Sequence, residues 1–98
     1  MRIQLKLYGV FRSAAGSSTI ELDVSSTRAP TVRDAIGTLT SKSEFNGLVH
    51  LLINTESSDP RPNALIMVSG REISTLNGLE TPLHESDELS LLPVVHGG

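Results

Sequence analysis

The residues with the clearest chemical potential stand at the end of the chain, Leu92-Pro93-Val94-Val95-His96-Gly97-Gly98. Gly97 and Gly98 lack a β-carbon, so they pass through a narrow channel and adopt backbone angles closed to other residues. Pro93 stiffens the base of the segment. A terminal carboxylate is a poor electrophile until it carries a good leaving group. Joining it to AMP makes a mixed anhydride, which requires threading the end into a nucleotide site. From Pro93 to Gly98 the extended reach is about 20 Å at ~3.3–3.6 Å per residue.

Other residue types offer less. His50, His84 and His96 are far apart in sequence and have no carboxylate at metal-ligand spacing, which argues against a metal site. His96 beside the glycines could shuttle a proton, but the simpler reading is a solvated side chain. Glu85, Asp87 and Glu88 could attract a cation or a basic partner, although such runs are usually solvated turns. The glycines form no phosphate-binding loop pattern. The chain has no cysteine, which excludes disulfides, thiolate metal sites and a cysteine nucleophile, and fits a reducing cytoplasm.

Composition narrows the class further. Eight basic residues against eleven acidic ones leave a net charge of −3, and the basic residues form no stripe. With only Tyr8, Phe11 and Phe45 as aromatics, the chain offers neither the basic face nor the stacking rings that nucleic-acid binding uses. No apolar run approaches the roughly 20 residues of a membrane helix. The opening segment alternates like a strand and does not read as a signal peptide. Ninety-eight residues make one domain.

The elements that must position the terminal segment follow from periodicity. Arg2 to Tyr8 alternates, with Ile3, Leu5 and Leu7 on one side and Arg2, Gln4, Lys6 and Tyr8 on the other. After a turn at Ala15 to Ser18, Thr19 to Val24 alternates again with Ile20, Leu22 and Val24 inward, which makes an antiparallel pair with one solvated face. The period then changes to that of a helix. Thr31 is an N-cap backed by Asp34, and Val32, Ala35, Ile36 and Leu39 share one face. The apolar cluster from Phe45 to Ile53 continues this helix or forms a second one, with a break expected at Asn46-Gly47. Asn54 to Asn63 reads as the longest loop. Ala64 to Val68 is a strand turned by Ser69-Gly70, Ile73 opens a short return strand, and Glu88 to Leu92 is the last strand, ended by Pro93.

A hairpin, a helix and a return to the same sheet give a two-layer α+β fold: a mixed sheet with one principal helix packed on one face. Right-handed crossover puts the first and last strands side by side and parallel in the middle. This is the ubiquitin-like β-grasp arrangement, and it divides the chain into a domain at 1–92 and a protruding, flexible tail at 93–98. The alternation also sets strand faces. If Ile66, Val68, Leu89 and Leu91 point inward, then Leu65, Met67 and Leu92 point outward and form an apolar patch near the tail. Such a patch marks a partner-docking site more often than scattered exposed apolar residues do.

Four segments give the chain a resemblance to a known family. They are Tyr8-Gly9-Val10-Phe11-Arg12, Thr31-Val32-Arg33-Asp34-Ala35-Ile36, Ile66-Met67-Val68-Ser69-Gly70-Arg71-Glu72-Ile73, and Asp87 through Gly98. Together they resemble the MoaD/ThiS group of ubiquitin-like sulfur carriers, which includes the ubiquitin-related and small archaeal modifiers. Val94 stands where the family ending usually has a second proline, and His96 where it has a small residue. The resemblance implies that Gly98 is adenylated by an ATP-using activating enzyme, then converted to a thiocarboxylate or joined to a lysine amine. The carrier itself would bind no cofactor and supply no catalytic residue. The first role implied is that of the small subunit of molybdopterin synthase, acting with a large partner subunit. The alternative is a modifier of lysine-bearing target proteins, or a sulfur carrier for a tRNA-thiolation enzyme. A β-grasp binding module whose tail is never activated is the reading from a different class.

Overall fold

The computed structural model describes residues 1–25, 28–53 and 58–94. Five strands form one sheet: β1 (Arg2–Leu7), β2 (Thr19–Asp23), β3 (Ala64–Val68), β4 (Arg71–Glu72) and β5 (Glu88–Pro93). Their spatial order is β2-β1-β5-β3-β4. β1 and β5 lie parallel at the centre with Leu5 beside Leu89 and Leu7 beside Leu91, while β2 and β3 flank them antiparallel. The ubiquitin-like β-grasp expected from the element order is the fold observed. Among the described residues no helix is long and apolar enough to cross a membrane.

Alternation decides the layers. Ile3, Leu5, Leu7, Ile20, Leu22, Ile66, Val68, Leu89 and Leu91 are all buried, and they face Val32, Ala35, Ile36 and Leu39 of α2 (Val32–Thr40). Thr31 caps α2 as a full capping box. Its hydroxyl accepts from the Asp34 amide at 3.4 Å, and the Asp34 carboxylate accepts from the Thr31 amide at 2.9 Å. The opposite sheet face carries Arg2, Gln4, Glu21 and Asp23 into solvent.

Three local expectations need correction. Gly9–Ala15 forms a helix, α1, that periodicity does not reveal. It is under two turns long and buries only Phe11, so no repeat of apolar residues can develop. The apolar cluster after α2 is a separate helix, α3 (Asn46–Leu52), and the break falls at Ser41-Lys42 rather than at Asn46-Gly47. The hydroxyls of Thr40 and Ser41 bond back to the carbonyls of Gly37 and Thr38, and Lys42 turns to extended backbone. The return strand is Arg71–Glu72, whereas Ile73 is buried at the start of a 3₁₀ turn. Ser69 (φ 48°) and Gly70 (φ 86°) both take positive φ, as a two-residue type I′ hairpin requires. Pairing therefore resumes at once with Arg71 opposite Val68.

Candidate functional site

β5 runs up the middle of the sheet, and the described chain leaves it at Pro93 and Val94. Pro93 is still part of the ladder, opposite Ala64, so the strand extends one residue beyond the sequence expectation. The Val94 amide donates to the Asn63 carbonyl at 3.0 Å. Asn63 is itself tied to α3, its side-chain amide donating to the Leu52 carbonyl at 3.2 Å. From the other side Gly9 presses on the Pro93 ring: a methyl group at Gly9 would stand 2.9 Å from Pro93 Cγ. Of the expected tail, Pro93 and Val94 are thus held by the body. Val95, His96, Gly97 and Gly98 lie outside the described residues.

The three patch residues do share the outer face. Leu65 pairs directly with Leu92, and Met67 sits one row further along, opposite Ser90. Leu65 is 38% exposed, while Met67 and Leu92 are half-buried by their neighbours in the sheet. The parallel register adds a residue that the sequence argument left out of the patch. Leu7 lies beside Leu91, and Tyr8 continues in extended backbone, so Tyr8 stands beside Leu92 with 42% of its surface exposed. The row Tyr8–Leu92–Leu65 runs from the residue after β1 across β5 to β3, and Val94 is exposed next to it. The alternation of β1 already put Tyr8 on this face, but only strand order could place it beside Leu92.

The far end of the same face is polar. Lys6 reaches Glu88 at 3.6 Å and Arg2 reaches Glu21 at 4.0 Å, and a shallow groove there is lined by Gln4, Glu21, Glu85, Asp87 and Glu88. Among the described residues no three His, Asp or Glu side chains gather to hold a metal ion.

Ser69, Asp87 and His84 form a polar cluster at this end. The Ser69 hydroxyl donates to Asp87 Oδ1 at 2.9 Å, and the His84 amide donates to Asp87 Oδ2 at 2.7 Å, with His84 Nδ1 at 3.3 Å from the same oxygen. Here the carboxylate lies between serine and histidine. The histidine ring stands on the far side of that carboxylate from the hydroxyl, so the cluster lacks the order of a Ser–His–Asp triad. Its work is mechanical, fastening the β3–β4 turn to the start of β5, where the Ser69 amide also donates to the Glu88 carbonyl at 2.7 Å. Burial alone would raise the Asp87 pKa. The hydrogen bonds from the His84 amide, the Ser69 hydroxyl and the His84 ring outweigh it and hold the carboxyl below its ordinary value.

Comparison with known proteins agrees with this geometry. The profile of the ThiS family matches residues 5–98. The chain is 32% identical to small archaeal modifier protein 3 of Haloferax volcanii over 100% of both chains. Its fold matches the crystal structure of small archaeal modifier protein 1 from H. volcanii with a TM-score of 0.80, at 24% identity over 100% of both chains. It matches the solution structure of small archaeal modifier protein 1 from Methanosarcina acetivorans with a TM-score of 0.78, at 29% identity over 99% of this chain and 96% of the other.

Proposed function

Because the chain belongs to the ThiS family of ubiquitin-like sulfur carriers and modifiers, we propose that it is a carrier activated at Gly98, working in the manner of the small archaeal modifiers. The observation that carries this reading is the full-length match, which runs through Gly98, on a fold whose central strand ends in an apolar strip. In the first step the Gly98 carboxylate attacks the α-phosphorus of ATP bound to a separate activating enzyme, and pyrophosphate leaves. Hydrosulfide then displaces AMP from the acyl adenylate and leaves a thiocarboxylate. Alternatively a lysine amine displaces AMP, loses a proton and forms an isopeptide bond. The activating enzyme covers Tyr8, Leu65, Met67 and Leu92, since any enzyme that takes the chain end must lie over its base. The small-subunit role in molybdopterin synthase shares the first step and differs in the acceptor.

ATP–pyrophosphate exchange with the activating enzyme tests the reading. The full chain supports exchange, and deletion of Gly98, or addition of one residue after it, abolishes exchange while the melting temperature stays the same. Undiminished exchange by the deletion variant would sink the proposal. Lysine-linked conjugates in cells support the modifier role, and stoichiometric co-purification with a large molybdopterin synthase subunit supports the other.

A further inference from the structure

Gly9 is far from Pro93 in sequence, yet the two are in contact at the point where the chain leaves the sheet. The contact has an unusual form. Gly9 sits at φ +54°, and its α-carbon faces the pyrrolidine ring so closely that a methyl group there would lie 2.9 Å from Cγ and 3.5 Å from Cδ. Optimal carbon–carbon separation is about 3.5–4.0 Å. One residue on, the Val94 amide is fixed to Asn63, which α3 holds in turn. The last two described residues are therefore gripped from opposite sides, by the β1–α1 junction and by the loop before β3.

We propose that Gly9 and Asn63 form a collar that aims the chain end, and that Gly9 is a positioning residue for delivering Gly98 to the activating enzyme. This inference rests on the carrier reading above for its consequence, but its geometry does not. With Val94 pinned, a methyl group at Gly9 must push the ring by about 0.6 Å to reach ordinary contact. Over the ~3.8 Å between neighbouring α-carbons that displacement is a rotation of about 9°. Misplacing a reacting group by about 1 Å can cost on the order of a hundredfold in rate.

Gly16 provides the control. It has φ +75° and nothing within 4 Å of a β-carbon position, so Gly16→Ala introduces the same left-handed backbone strain without touching Pro93. Because the chain has no cysteine, spin labels placed at Glu44→Cys and Gly98→Cys report the distance from body to chain end. Electron–electron double resonance should show the Gly9→Ala distribution displaced or broadened relative to the parent, and the Gly16→Ala distribution unchanged. In a Pro93→Ala background, which removes the ring, Gly9→Ala should cause no further displacement. Strain confined to the Gly9 backbone would act equally in both backgrounds. If Gly9→Ala does not fold, Pro93→Ala alone must broaden the distribution.

With unlabelled protein, Gly9→Ala should lower kcat/KM for ATP–pyrophosphate exchange at least about tenfold, and Gly16→Ala should stay within about twofold. Identical distance distributions for Gly9→Ala and the parent overturn the collar. Displaced distances with unchanged exchange overturn the positioning role. Absence of exchange in the parent chain rejects the carrier reading, and the distances still decide the collar.

Discussion

Replacing Leu65 by Glu tests the docking strip without disturbing the body. Leu65 is 38% exposed on the outer face and pairs across the sheet with Leu92. Fully burying a leucine side chain is worth about 1.5–3 kcal/mol, so the third or so left uncovered yields roughly 0.5–1 kcal/mol when a partner covers it. The variant forfeits that gain and must also strip water from a carboxylate, which costs at least as much again where no cation meets it. Affinity for the activating enzyme should therefore fall at least tenfold, or ~1.4 kcal/mol. In the free protein the new carboxylate faces water. The loss there is the cross-strand contact with Leu92, about 0.2–1 kcal/mol. For a domain of this size 1 kcal/mol moves the melting temperature by about 4–8 °C, so the fall should not exceed that. Met67→Glu is the less clean choice, because Met67 lies directly opposite Glu72 and the variant adds like-charge repulsion. Titration calorimetry beside thermal melting separates the outcomes. Affinity within threefold of the parent would place the interface elsewhere, and collapse of the fold would make Leu65 a structural residue.

The core and the polar cluster support two further expectations. Leu5→Ala, at a fully buried position in a central strand, should cost about 2–5 kcal/mol by urea unfolding, whereas Gln4→Ala should stay within roughly 0.5 kcal/mol; equal losses would contradict the register. Asp87 has a folded pKa below its unfolded value of about 3.9, so its contribution is complete above that value and is lost as pH falls through the folded pKa. Asp87→Asn should be less stable than the parent near neutrality, and the difference should shrink in acid below about pH 3.9; a constant difference down to the acid limit would show that the Asp87 charge has no part in the clasp.

Much of the architecture was legible one segment at a time. The two alternating runs at Arg2 and Thr19 announced their faces, because a strand's side-chain period is two and one side of this sheet is dry. The capping pair Thr31 and Asp34, with the spacing of Val32, Ala35, Ile36 and Leu39, announced α2 for the same local reason. The ending Leu92-Pro93-Val94-Val95-His96-Gly97-Gly98 suggested the proposed activation at Gly98 by its residue types together with the family resemblance. What remained hidden depended on contacts between segments distant in sequence. α1 has too few turns to show a period and is recognisable only by Phe11 reaching the core. The return strand began two residues early because Ser69 joined Gly70 at positive φ, a conformation that the serine's identity does not announce. The row Tyr8–Leu92–Leu65 needed the parallel pairing of β1 with β5 and the antiparallel pairing of β5 with β3, since alternation assigns a face but not a neighbour. The grip of Gly9 on Pro93 is of the same kind: either residue alone reads as a turn or a strand end, and only folding brings the bare α-carbon of one against the ring of the other.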